Sequence, residues 1–345
     1  TEMKAGGKRE VIDFLPKYAS GIVAQVRKKT GEERPLEGAR IIVDAGNGAG
    51  GYFVHDVLVP LGADTRGSQF LEPDGHFPNH IPNPEAEEAI EAIESAVREN
   101  GADLGIIFDT DVDRSAIVDE KGNSINKSAF IAFIASQILD EFPGSTIVTD
   151  SVTSNGLTAF IEKRGGVHKR FKRGYKNVID EAKRINAEGG DSHLAMETSG
   201  HGAIKENYFL DDGSYLAMLA LSAFAKARKN GHTVSEFLAD YHYPLEEMEV
   251  RYKIAADDFR AYGQKLLDAF KAFAEKQPGW SVVEPNYEGV RVNCDSQAGN
   301  GWILVRMSLH EPVLPVNIES EQAGGAQEIL DTFEGFLKDW PEIRK

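Results

Sequence analysis

Three aspartates at every second position, Asp109, Asp111 and Asp113, with Arg114 directly behind, close a five-residue apolar run from Leu104 to Phe108. Carboxylates this close repel one another unless a cation sits among them, and an all-oxygen set suits a hard divalent ion such as Mg²⁺. In an extended segment alternate side chains share one side, so the spacing predicts three carboxylates aimed at one point. A solvated acidic loop is the plain alternative, although such loops seldom follow a buried strand with period two. An EF-hand fails on position: Glu120 falls at the twelfth place, but the sixth, which needs a sharp turn, holds Arg114.

Four further stretches could do chemistry. HLAMETSGHG, residues 193–202, puts Glu197, Ser199 and His201 at alternate positions on a strand-to-loop exit, where they could hydrogen-bond sugar hydroxyls. A nucleophilic Ser199 would need Gly two residues earlier, and Glu197 stands there. FKRGYKNVI, residues 171–179, sets Lys172, Arg173 and Lys176 around Gly174 at the mouth of a helix. Cations beside helix-start amides suit a phosphate or a sugar oxygen in need of a proton, and a solvated basic patch is the rival reading. Arg306, Ser308 and His310, in RMSLHEP, could cradle a phosphate dianion or form an ordinary hairpin turn. DAGNGAGG, residues 44–51, carries the spacing of a dinucleotide fingerprint, but a tight structural turn explains its glycines as well.

The elements that must position these residues alternate. Strands are expected at Arg40–Asp44, Leu104–Phe108, Thr146–Thr149, Val167–Phe171 and His193–Glu197. Helices are expected around Val11–Lys28 and at Ala49–Leu61, Pro84–Asn100, Lys127–Glu141, Asn155–Arg164, Tyr175–Ala187 and Gly213–Lys229. Such alternation means α/β layers on a largely parallel sheet. After Tyr243 strands cluster between two helices, the pattern of a smaller α+β module. Pro143-Gly144 and the change of texture divide the chain into 1–143, 144–246 and 247–345. A formal charge of −17 argues against a nucleic-acid binder, which would need a basic face, but does not forbid an anionic small substrate. No run approaches a membrane span, and the single Cys294 rules out an internal disulfide and fits a reducing cytoplasm.

Taken together and in order, the stretches resemble those of the α-D-phosphohexomutases, the phosphoglucomutase/phosphomannomutase superfamily. DTDVDR resembles its metal loop D-G-D-G-D-R, and FPNHIPNPE its F-P-x-H-x-P-x-P loop. METSGHG resembles the sugar loop G-E-x-S-G-H with Met196 for the opening Gly. KRGYK is similar to the loop that supplies an acid/base lysine, and RMSLHEP to the phosphate loop R-x-S-G-T-E-P. Leu309-His310 replaces Gly-Thr in that last loop, and Pro315 holds a following Arg position.

The resemblance implies two three-layer α/β/α modules with mixed sheets and a C-terminal α+β module of the TATA-binding-protein type. It implies transfer of a phosphoryl group between O1 and O6 of glucose or mannose phosphate through a phosphoserine. Mg²⁺ would sit on Asp109, Asp111 and Asp113; Arg114, Lys172, Lys176 and His201 would be catalytic; Glu197, Ser199, Arg306, Ser308 and His310 would hold substrate. The T-A-S-H-N-P-like serine loop of the family is absent from these 345 residues, so an N-terminal serine domain is expected as a missing partner and the chain alone is expected not to turn over. The alternative is a sugar-phosphate-binding or regulatory protein without mutase activity.

Overall fold

The computed structural model describes residues 9–308 and 311–345; Leu309 and His310 of the expected phosphate loop lie outside the described residues. Helix α1, Leu15–Thr30, carries Pro16 in its first turn, where its fixed φ fits, and is capped by Gly31 with φ 73°. The expected start near Val11 is too early, because Val11 and Ile12 are exposed and the buried stripe begins at Ala19. Strand β1 is Ile41–Asp44. The single helix expected over 49–61 is instead a 3₁₀ turn at Ala49–Gly51, a π-helical stretch at Phe53–Leu58 and one α-helical turn α2, Val59–Leu61. Pro60 accounts for this: it has no N–H to give, and its ring crowds the carbonyl one turn back. The hydrogen-bonded ring therefore widens, and Val59 N–H reaches Val54 O.

Helix α3, Glu87–Asn100, and strands β2, Leu104–Phe108, β3, Ser115–Val118, and β4, Ser124–Ile125, follow. Next come α4, Lys127–Glu141, β5, Thr146–Thr149, α5, Asn155–Lys163, and β6, Val167–Arg170. Then come α6, Tyr175–Ala187, β7, Leu194–Met196, β8, Gly202–Ile204, and α7, Gly213–Lys229. The C-terminal part holds β9, Glu246–Ile254, α8, Phe259–Ala274, β10, Trp280–Val282, β11, Val290–Cys294, β12, Gly301–Val305, and β13, Val313–Ser320. It ends in α9, Gly325–Leu337, and β14, Ile343–Arg344. Among the described residues no helix is long and apolar enough to cross a membrane.

The chain divides into two compact units. The first comprises residues 9–125 and 212–236. Its sheet runs β1-β2-β3-β4, with β1 parallel to β2 (Val43 opposite Ile106) and the other pairs antiparallel. The sheet is thus mixed rather than largely parallel. Only six residues separate β2 from β3, far too few for a crossover, so the chain folds straight back. Helix α3 covers one face through Ile93, Ala96 and Val97, against Ile42, Ile107 and Val118. Helix α7 returns from far along the chain to pack on β3 and α1. Asp212 caps α7 by accepting the Tyr215 N–H at 3.0 Å and also takes the Tyr18 hydroxyl at 2.6 Å.

The second unit comprises residues 126–211 and 237–345. One sheet, β6-β5-β7-β8, is parallel except for the β7–β8 hairpin. Helix α6 lies on it through Val178, Ile179 and Ala182. The other sheet is antiparallel throughout, in the order β10-β11-β12-β13-β9-β14. Helices α8 and α9 cover one of its faces with Leu266, Phe270, Ile329 and Phe333. Strict alternation puts Arg291, Trp302 and Glu319 on the opposite face.

Gly213 shows how tightly α7 is set in the first unit. Its N–H donates to Val112 O at 3.0 Å, its carbonyl accepts from Ser115 Oγ at 3.0 Å, and a Cβ there would lie 2.7 Å from Arg114 O. Gly213→Ala is expected to lower stability by about 1–3 kcal/mol through this overpacking, measured by urea unfolding.

Candidate active site and metal loop

In the first unit, the 109–114 loop is a tight connection and not the extended segment that the spacing predicts. Asp109 N–H donates to Arg114 O at 3.3 Å, and Val112 takes φ 69°. The turn gathers the carboxylates instead: Asp109, Asp111 and Asp113 each offer an oxygen within 4.8 Å of the others. Asp109 is buried and receives the Arg114 backbone N–H at 3.1 Å and its Nε at 3.0 Å. Burial, and Asp113 after it, still push the Asp109 carboxyl above the usual range. Three hard oxygens whose negative charge is only partly offset by one guanidinium fit a divalent cation.

Two neighbouring loops brace this turn. Gly48 of the glycine-rich stretch lies so close to the 109–114 loop that a Cβ would be 2.7 Å from Thr110 O, and Ala49 N–H donates to that carbonyl at 2.9 Å. The glycines therefore serve packing here, and Asp64 is engaged with Arg40 and Arg66 at 3.0 and 2.7 Å. The proline-rich loop 72–84 sends Asn83 Oδ1 to accept from Arg114 Nη1 at 3.1 Å. It is anchored by His80, whose Nε2 meets both Asp44 oxygens at 3.1 Å while Nδ1 faces Ile81 O at 3.0 Å. The Asp44 hydrogen bond raises the pKa of this imidazole.

In the second unit, Glu197–His201 forms the turn of the β7–β8 hairpin, closed by Glu197 N–H to His201 O at 2.9 Å and by Gly200 at φ 98°. The expected alternation on an extended exit is replaced by a tight turn, since strand pairing ends at Met196 and Gly202. His201 Nδ1 lies 2.7 Å from Asp211 Oδ2, and that carboxylate also accepts the Gly202 N–H at 3.0 Å. Tyr175 stacks on the His201 ring at 5.1 Å. Ser199 Oγ is buried and has no hydrogen-bond partner among the described residues. Thr198 Oγ1 donates to Asp150 Oδ2 at 2.8 Å, at the C-terminal end of β5, and Arg173 Nε stands 3.9 Å from the same oxygen.

Successive amides of the basic loop are taken by carboxylates: Arg173 N–H donates to Glu288 Oε2 at 3.1 Å and Gly174 N–H to Glu197 Oε1 at 2.6 Å. Burial, and Asp150 after it, push the Glu197 carboxyl up to about 7. Lys172 is exposed, and Lys176 is an exposed partner of Asp180 along α6. Arg306 is buried, its Nε has no partner among the described residues, and burial lowers its pKa. Ser308 N–H donates to Val313 O at 2.9 Å, and Ser308 Oγ accepts from Glu311 N–H at 3.3 Å.

Family models describe two stretches of this chain. Residues 16–122 match phosphoglucomutase/phosphomannomutase alpha/beta/alpha domain II, and residues 126–243 match alpha/beta/alpha domain III. The chain belongs to this family. It is 31% identical over 344 residues to a phosphomannomutase/phosphoglucomutase of Pseudomonas putida, covering 99% of this chain and 68% of that one. A crystal structure of a phosphoglucomutase/phosphomannomutase family protein from Burkholderia thailandensis matches at TM-score 0.75 and 26% identity, covering 92% of this chain and 64% of that one. The N-acetylphosphoglucosamine mutase of Aspergillus fumigatus, solved with GlcNAc-6P and magnesium, shares the fold at TM-score 0.59 and 16% identity, over 93% of this chain and 65% of that one. The chain thus spans about two thirds of each of these three proteins.

Within this family member, sequence reasoning quoted the stretches that hold Asp44, His80 and Asn83 without giving these residues a role, and passed over Asp150, Asp211, Glu288 and Arg291. A signal existed for two of the last four. Asp150 follows a parallel strand, where ligand sites collect, and Asp211 opens an acidic pair before a helix. Nothing local marks Glu288 or Arg291, whose partners lie more than a hundred residues away.

Two titrations test these environments. His80 has a raised pKa in the folded state, so its stabilisation is complete below about pH 6.5 and is lost as pH rises through the folded value. Chemical denaturation should show that loss in the wild type and not in His80→Gln. Glu197, held neutral up to about 7, makes the protein lose stability as pH rises from about 4.5 towards 7. Glu197→Gln should show a smaller loss over that window.

Proposed function

We propose that this chain supplies the metal, sugar and phosphate loops of a phosphohexomutase that interconverts the 1- and 6-phosphates of glucose or mannose. The observation that carries the reading is the gathering of three aspartate oxygens within 4.8 Å beside Arg114. The modules 1–143, 144–246 and 247–345 would carry one loop each. Mg²⁺ is the ion that an all-oxygen set favours, and the Aspergillus neighbour was solved with magnesium. Asp109, Asp111 and Asp113 would hold it, and it would draw charge from a serine-bound phosphoryl group. Phosphoryl transfer asks for positioning and charge neutralisation more than for covalent help.

The chain's own groups then divide the work. Arg114, clamped to Asp109 and Asn83, adds a fixed positive charge to the metal loop. Glu197, close to half-protonated near pH 7, can accept from or donate to a sugar hydroxyl, and the buried Ser199 hydroxyl is a second contact. His201, oriented by Asp211, is suited to carry a proton. Of the two lysines, Lys172 suits the transfer of a hydroxyl proton, because Lys176 is paired with Asp180. Arg306 and Ser308, with His310, would grip the phosphate that does not react.

The phosphoryl carrier would be a serine in a T-A-S-H-N-P-like loop, and residues 1–345 contain no such stretch. We therefore read this chain alone as binding sugar phosphate without turnover, with the serine loop as its partner. The single buried Cys294 suits work in the cytoplasm.

Calorimetry is expected to show Mg²⁺ binding that falls about tenfold or more in Asp111→Asn; unchanged binding would remove the metal assignment. A coupled assay on residues 1–345 is expected to show no interconversion of glucose 1- and 6-phosphate, and ordinary activity would overturn the division of labour.

A further inference from the structure

We infer that Arg291 is a positioning residue that dowels the loop 151–155 to the C-terminal sheet and thereby fixes the phosphate loop against the sugar loop. This rests on the proposed binding of a sugar phosphate by the second unit. Arg291 stands on β11 and is 1% exposed. Its Nη1 donates to Ser151 O at 2.9 Å, and its Nη2 donates to Thr153 O and Asn155 Oδ1 at 3.1 Å each. Its guanidinium carbon lies 3.7 Å from the centre of the Trp302 ring, whose Nε1 donates to Glu319 at 2.6 Å. Arg170, from β6, takes Thr153 O at 3.2 Å and Ser154 O at 2.7 Å. Two arginines from two different sheets therefore share the acceptors of one short loop.

A buried guanidinium facing neutral acceptors is expensive; here both Nη atoms are met by the 151–155 loop, while Nε has no partner among the described residues. Here the acceptors belong to the loop that follows Asp150, the residue holding Thr198 of the sugar loop. Three residues before Arg291, Glu288 takes the Ser151 hydroxyl and the Arg173 N–H. On the other side, Val290 pairs with Val305, next to Arg306 of the phosphate loop, and Gly289 is packed so that a Cβ would lie 2.8 Å from Arg306 Cβ. A path of hydrogen bonds and paired strands thus runs from Arg306 through Arg291 to Thr198. A sugar phosphate would touch both ends of this path, whereas inorganic phosphate would touch only the Arg306 end.

The test compares the wild type with Arg291→Lys, which keeps the charge and loses the fork, and with Asn155→Ala, at an exposed acceptor that leaves the core intact. Calorimetry with glucose 6-phosphate and with inorganic phosphate is paired with hydrogen exchange of the 151–155 amides. Arg291→Lys should weaken glucose 6-phosphate at least tenfold and inorganic phosphate less than twofold, with at least tenfold faster exchange in 151–155. Asn155→Ala should follow the same pattern with a threefold loss. Equal weakening of both ligands, unchanged affinity for both, or unchanged exchange in Arg291→Lys overturns the inference. Failure of the wild type to bind glucose 6-phosphate would remove the functional reading and the positioning role together. Equal affinity in wild type and Arg291→Lys would remove the positioning role alone.

Discussion

Buried carboxylates at the C-terminal ends of parallel strands are the constraint on which both units are built. Asp44 ends β1, Asp109 follows β2, Asp150 follows β5 and Glu197 follows β7, and all four are buried. Each must be met by donors or the strand end would not hold. Asp44 is met by His80, Gln69 Nε2 at 2.8 Å and Gly46 N–H at 2.8 Å. Asp109 is met by Arg114, Asp150 by Thr198, and Glu197 by the Gly174 N–H. The loops around the site are shaped by this demand as much as by any ligand.

In the first unit the demand explains three sequence features at once. The glycines after β1 let that turn lie against Thr110 and Pro82; a Cβ on Gly46 would sit 2.7 Å from Pro82 Cβ. The proline-rich loop carries the imidazole that meets Asp44, and the same loop carries Asn83 to Arg114. The aspartate loop therefore has support on two sides, as a carboxylate cluster requires if it is to stay gathered against its own repulsion.

In the second unit compensation is incomplete, and that incompleteness suits a binding surface. Asp150 Oδ1, Ser199 Oγ and the Nε atoms of Arg291 and Arg306 are buried without a partner among the described residues. Glu197 and Glu319 are both pushed up to about 7, chiefly by burial. Groups held close to their titration point can change hydrogen-bonding role at little cost.

The primary structure by itself determined the motif inventory, the family and the order of most elements. Helices α4, α6 and α7 and strands β2 and β5 occur at the expected residues, because apolar periodicity, caps and short apolar runs are local. Only the tertiary structure decided how the site residues come together. The aspartates converge through a turn with Val112 at positive φ, and Glu197 to His201 form a hairpin end; an alternating pattern in a string of letters does not distinguish an extended strand from a tight reversal. It also brought α7 back onto β3, and Arg291 onto carbonyls up to 140 residues distant. Those partners are backbone groups present at every residue, so no side-chain pattern could have announced them.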